Sequence, residues 1–325
     1  VNDEQRNNNV TTRQLVDPEI APIIDMLPMP DFRREVMPAI RQAMSERVIP
    51  GFVPAMMPDV KNIAGRDGAP DVPVYIYNPG SGRTKRPAIL HIHGGGMVIG
   101  TAAMSLMSMP AIALAFDCVV LSVDYRLAPE TAFPGPQEDC YAGLAWIMEN
   151  SDRLGVDPSR IFVMGESAGG GLAAAITHMV RDRAEYQLAG QILTYPMLDH
   201  RTGGTECPWN NPMTGEFIWT RDKNQFGWES LRGDYGVNDN RAGWFSPARA
   251  TDLTGLPPAY LSVGTLDLFL DENLDYARRL AAAGVPVEMH VYPGAIHGFD
   301  MMAEAAIAKQ ANADLMAALG RFLKD

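Results

Sequence analysis

Cysteine is scarce: Cys118, Cys140 and Cys207 are the three in a chain of 325 residues. They are odd in number, widely spaced and without a Cys-x-x-Cys pair, so neither a disulfide framework nor a zinc ribbon is indicated. A reducing compartment follows, and cytoplasmic localisation is the expectation. Basic charge is short as well: 27 Lys and Arg stand against 39 Asp and Glu, a formal balance of -12. With no Lys/Arg-rich run, nucleic acid and anionic membrane surfaces are unsuited partners. No apolar run reaches the length of a membrane span, and the opening Val1-Asn-Asp-Glu-Gln-Arg lacks an apolar signal core. What is present is a 46% hydrophobic, 20% charged chain that can bury a large core, most economically as one α/β domain with an accessory subdomain.

After a polar tail, Asp17-Pro18 reads as a cap and first turn leading into Glu19 to Met26, and Asp31 as the opening of a helix from Phe32 to Met44. Residues 1–54 are thus expected to be N-terminal cap helices. Their methionines Met26, Met29, Met37 and Met44, followed by Met56 and Met57, fit either a pliable wall over a lipophilic ligand or ordinary helix packing. From Val60 strands appear, at Val72 to Tyr77, Pro87 to His93 and Cys118 to Tyr125. Helix and strand then alternate: a helix from Gln137 to Glu149, a strand from Ile161 to Met164, a helix from Ser167 to Arg181 and a strand from Gln191 to Tyr195. A strand from Ala259 to Val263, a helix from Glu272 to Ala283, a strand from Val287 to Tyr292 and a helix from Ala303 to Phe322 follow. This order predicts an α/β fold with a mostly parallel sheet covered on both faces and ligand sites beyond the carboxyl ends of the strands. The alternation fails over residues 200–239, which hold Trp209, Trp219 and Trp228 of the five tryptophans. That insertion reads as a lid joining the N-terminal helices, or as a subunit contact, with residues 55–199 and 240–325 forming the catalytic domain.

Gly165-Glu166-Ser167-Ala168-Gly169 lies between the strand and the alanine-rich helix that it opens. Such a turn strains the serine backbone and needs neighbours without side chains, while its hydroxyl projects above the sheet. Ala168 opens a helix whose unpaired N–H groups favour negative charge. His93-Gly94-Gly95-Gly96 follows another strand, and its glycines let backbone N–H groups approach an oxyanion. A base and an orienting acid are expected at later strand ends, in the order Ser, Asp, His; Gly264-Thr265-Leu266-Asp267 and His297-Gly298-Phe299 supply them. Asp271, His290 and His178 are the weaker rivals.

These motifs, with Tyr125-Arg126-Leu127-Ala128-Pro129-Glu130 and Asp271-Glu272, resemble the hormone-sensitive-lipase-like branch of the α/β-hydrolases, the bacterial carboxylesterases. The resemblance runs from about Val60 to the C-terminus, outside the insertion. It implies an eight-stranded α/β-hydrolase sheet with a helical cap and hydrolysis of short- to medium-chain acyl esters without metal or cofactor. Ser167, Asp267 and His297 match the triad, and Gly94, Gly95 and Ala168 the oxyanion donors. Family members often form homodimers. Met97 stands where an aromatic residue is frequent, Glu166 where aspartate is common, and Leu268 where proline is frequent. Met97, Glu166 and Trp219 are the candidates for substrate contact. His93 is expected to hold the glycine loop rather than to react.

Three other readings compete. His91-Ile92-His93 is a His-x-His pair of the kind metal hydrolases use. The scaffold also serves as a ligand-binding protein when its nucleophile or base is lost, yet both are present here. An amidase or deacetylase would use the same three side chains.

Overall fold

Apolar, β-branched segments build one sheet of eight strands: β1 (Asp59–Ile63), β2 (Val72–Tyr77), β3 (Arg86–Ile92), β4 (Val119–Val123), β5 (Val156–Glu166), β6 (Gly190–Thr194), β7 (Ala259–Gly264) and β8 (Val287–Tyr292). The structure, a computed structural model, describes residues 11–26, 30–45 and 51–324. The order across the sheet is β1-β2-β4-β3-β5-β6-β7-β8. β1 and β2 run antiparallel to their neighbours, and every pairing from β4 through β8 is parallel. Strands β3, β4, β6 and β7 are buried throughout, as continuous apolar runs covered on both faces must be.

The helices are α1 (Ala21–Ile24), α2 (Met37–Ser45), α3 (Met109–Phe116), α4 (Gly135–Glu149), α5 (Ser151–Leu154), α6 (Ala168–Arg183), α7 (Arg221–Arg232), α8 (Ala242–Phe245), α9 (Leu270–Ala282) and α10 (Ala306–Phe322). Side chains alternate between faces along a strand. Leu90 and Val163 therefore pack with Leu144 of α4, Leu172 of α6 and Leu280 of α9. Ile89 and Phe162 pack on the other side with Ile112 of α3 and Leu319 of α10. The parallel strands all point their carboxyl ends the same way, so the loops after β3, β5, β7 and β8 emerge on one rim.

The N-terminal region departs from the sequence reading. α2 begins at Met37, not Phe32, and Asp31 pairs with Arg33 on the surface instead of capping a helix. The polar tail through Val10, together with Pro28 and Met29, lies outside the described residues. Met37 is buried, whereas Met26 and Met57 are 75% and 70% exposed, so these methionines do not form one apolar wall.

The insertion carries a helix that the pattern did not announce. Thr220 caps α7 by accepting from the Lys223 N–H, Asp222 sits in its first turn, and Asn224, Trp228 and Leu231 face inward. Lys223 and Gly227 on the same buried side blur its periodicity. Strand β1 likewise lacks a sequence signal, because an edge strand with four of five residues exposed needs little apolar character.

Candidate active site

At the end of β5 the chain turns sharply into α6, and Ser167 takes φ 57° and ψ -121° at the turn. A non-glycine residue there is strained and must be held by its surroundings. The Ser167 N–H donates to the Thr194 carbonyl at 2.9 Å, and the Ser167 carbonyl accepts from Gly171 at 3.0 Å and Met197 at 2.9 Å. The flanking positions must be glycine: a Cβ on Gly165 would meet the Gly169 carbonyl oxygen at 2.3 Å, and one on Gly169 would meet the Ile92 oxygen at 2.0 Å.

Ser167 Oγ lies 2.8 Å from His297 Nε2, and His297 Nδ1 lies 2.8 Å from Asp267 Oδ2. A carboxylate can only accept, so Nδ1 carries the proton and Nε2 is free to accept from the hydroxyl. Asp267 is wholly buried, and its other oxygen accepts from the Phe269 N–H at 2.9 Å. The imidazole is boxed by rings: Tyr195 at 4.8 Å, Phe269 at 5.2 Å and Trp219 at 6.2 Å between centroids. Residues from the ends of β5, β7 and β8, as much as 130 positions apart, thereby form one hydrogen-bonded row.

The rival residues are engaged elsewhere. Asp271 accepts from Asn211, His290 contacts Glu288 and Asp314, and His178 is buried against the Tyr276 hydroxyl. Glu272 is buried too, accepting from the Leu198 N–H and from Thr202. Burial and the neighbouring Asp199 charge hold its carboxyl well above the usual range.

The glycine loop after β3 comes up beside the serine. A Cβ on Gly94 would stand 3.3 Å from Ser167 Cβ. His93 Nδ1 donates to the Gly94 carbonyl at 2.8 Å, its ring stacks on Tyr125 at 4.3 Å, and the Tyr125 hydroxyl donates to the His93 carbonyl at 3.0 Å. Burial pushes the His93 imidazole down to about 4, so it is neutral when it does this. Gly94 thus lies beside Ser167, and Ala168 is the first residue of α6. First-turn N–H groups have no acceptor within their helix.

Of the three candidates for substrate contact, Trp219 has its ring 6.2 Å from the His297 imidazole, and Glu166 directly precedes Ser167. The Trp219 ring occupies the space over Gly96, where a Cβ would meet it at 2.0 Å, and its indole N–H donates to Asn224. Met97 is buried in the main core, with its carbonyl accepting from the Ala128 N–H. Glu166 is likewise engaged: both its oxygens lie within 3.3 Å of His91 Nε2. His91 Nδ1 meets Ser122 Oγ at 2.9 Å, so His91 and His93 have separate partners and do not converge. Trp228 packs inward against Phe245, and Trp209 is half-buried.

Arg41 and Tyr195 have partners that the sequence pattern does not mark. Arg41 of α2 donates to the Val98 and Ala128 carbonyls, both at 2.7 Å, and forms a two-pronged pair with Glu130 at 2.9 Å. Tyr195, which the pattern put at the end of a strand, has φ 35° and turns its ring onto His297. A helical arginine and a strand-end tyrosine carry no local signal of such partners.

Residues 89–301 match the model of a family described by its α/β-hydrolase fold. Carboxylesterase NlhH of Mycobacterium tuberculosis is 32% identical over 87% of this chain and 88% of its own length. An arylesterase of Saccharolobus solfataricus is 30% identical over 83% of this chain and 86% of its own. Among solved structures, a bacterial heroin esterase superposes with a TM-score of 0.83 at 37% identity, covering 97% of this chain and 100% of that one.

Proposed function

This chain belongs to the hormone-sensitive-lipase-like α/β-hydrolases, and on that premise we propose that it is a carboxylesterase acting on short- to medium-chain acyl esters through an acyl-Ser167 intermediate. The observation that carries the reading is the row Ser167 Oγ, His297, Asp267, with 2.8 Å at each link.

In this reading His297 Nε2 takes the Ser167 proton as Oγ attacks the ester carbonyl carbon. The oxygen that becomes negative meets the N–H groups of Gly94, Gly95 and Ala168, each such donor being worth roughly a hundredfold or more in rate. Collapse breaks the bond to the alcohol, which leaves with the proton from His297. A water then adds to the acyl-serine while His297 takes its proton, and the acid departs as Ser167 is restored. Asp267 stays ionised throughout, holding Nδ1–H and stabilising the imidazolium.

Acyl length follows from the cover. Phe32, ahead of α2, meets Trp219 edge-on at 5.6 Å and Phe226 of α7 at 6.2 Å, with the Lys223 ammonium 5.5 Å from its ring. Thr12 donates to Glu216 from its backbone N–H and from its hydroxyl. The N-terminal segment and the insertion therefore meet, as the two parts of a cap would, and Ser167 is only 6% exposed beneath them. A site so covered favours small acyl groups.

Ser167→Ala should abolish turnover of p-nitrophenyl acetate while circular dichroism stays unchanged, and a fluorophosphonate should attach to Ser167 at one per chain. Residual turnover in Ser167→Ala, or attachment elsewhere, would refute the reading.

A further inference from the structure

The loop after β6 touches both reacting groups, although none of its residues belongs to the row. Thr194 accepts from the Ser167 N–H, and Met197 donates to the Ser167 carbonyl, so two hydrogen bonds of 2.9 Å bracket Tyr195 and fix the backbone of the nucleophile. The loop is itself pinned: the Tyr195 N–H donates to Ser262 at 2.6 Å, and buried Asn273 donates to the Pro196 carbonyl at 2.8 Å.

Tyr195 has φ 35° within this pinned stretch. For a bulky side chain that is an outlier, maintained only where the surroundings over-determine it. The turn brings the ring edge-on to the His297 imidazole, with 4.8 Å between centroids and 62° between planes. Its hydroxyl donates to Asp300 Oδ1 at 2.7 Å. Asp300 lies three residues past His297 in the same loop, and its own carbonyl accepts from the Asn312 side chain of α10. A ring that merely filled the adjoining core would need no hydroxyl, since phenylalanine has the same shape; here the phenol spans from the serine loop to the histidine loop.

We propose that Tyr195 is a positioning residue, holding the His297 imidazole in line with Ser167 through its ring and through the hydrogen bond from its phenol to Asp300. The proposal rests on the esterase reading and adds to it the part that keeps nucleophile and base in register. Small displacements of a base lower turnover steeply, by up to about a hundredfold for an ångström.

The test uses the full chain with p-nitrophenyl acetate and the variants Tyr195→Phe, Asp300→Ala and Asp300→Asn, with the melting temperature recorded for each. Tyr195→Phe and Asp300→Ala should each lower kcat about tenfold with KM within about twofold, and their double variant should fall no further than either. Asp300→Asn keeps an acceptor oxygen for the phenol and should retain at least about half of kcat, since a tether and not a charge is what is needed. The rate of fluorophosphonate attachment to Ser167 should follow kcat. Wild-type kcat in Tyr195→Phe would overturn the proposal, and so would Asp300→Asn falling as far as Asp300→Ala. Activity of the unmodified chain and inactivity of Ser167→Ala judge the esterase reading separately.

Discussion

At the scale of single residues the chemistry depends on protons held where burial and partners dictate. Asp267→Asn offers an amide whose N–H₂ can donate to His297 Nδ1, reversing the tautomer and leaving Nε2 unable to take the Ser167 proton. The expected loss in kcat is about 10⁴-fold, by analogy with the serine-protease aspartate; steady-state kinetics with p-nitrophenyl butyrate would measure it, and near-normal turnover would disqualify Asp267. His93 and His178 are buried neutral, their imidazoles pushed down to about 4 and about 3 by burial. The unfolded chain protonates both near 6.5, so it binds more protons than the folded one as pH falls. Their stabilising contribution is complete above about pH 6.5 and is lost on acidification toward pH 4, at roughly 1.4 kcal/mol per pH unit for each. His178→Gln should reduce the slope of stability against pH by about that amount in urea titrations between pH 6.5 and 4.5. An unchanged slope would mean that His178 titrates freely. The three row residues were legible because each sits in a short motif at a strand end. Tyr195 was not, because its φ of 35° is imposed by hydrogen bonds from remote segments.

At the scale of elements, α2 is tied to the loop after β3 by the Arg41 side chain, beside the packing of buried Met37. Arg41 bridges the Val98 carbonyl, the Ala128 carbonyl and Glu130, and Val98 in turn donates from its N–H to Gly95. Removing the guanidinium strands two carbonyls, so Arg41→Ala should cost about 2 kcal/mol in denaturant unfolding, counting charge-assisted bonds. It should also hasten proteolysis ahead of β1; equal stability and equal digestion would show that α2 is held by other contacts. Helix α7 brings its cap residue beside Trp219, whose ring fills the space over Gly96. Trp219→Ala should enlarge the site and move the optimum in a p-nitrophenyl ester series toward longer acyl chains. An unshifted optimum would remove Trp219 from the acyl pocket. The helix was hidden in the sequence because Lys223, Asn224 and Gly227 occupy its inward side. Burial of polar residues there depends on partners in other segments: Asn224 bonds to the Thr202 carbonyl and the Trp219 indole, and Lys223 to the Ile218 carbonyl.

At the scale of the molecule, residues near the N-terminus meet the insertion through Thr12 with Glu216 and Phe32 with Trp219, and under the proposed reading this cover governs the hydrolysis profile. The unmodified chain should act best on acetyl to hexanoyl esters, and an optimum on long-chain triglycerides would contradict that. Among the described residues no helix is long and apolar enough to cross a membrane. By itself the amino-acid sequence determined the alternation of strands and helices, the parallel core and the glycine-flanked turns, because these follow from periodicity and from backbone sterics within a few residues. Only the tertiary structure decided which methionine is buried, that Glu166 and Met97 have protein partners, and that a tyrosine after β6 reaches the histidine loop. Those outcomes depend on contacts between segments a hundred residues apart, and such contacts leave no mark on local pattern.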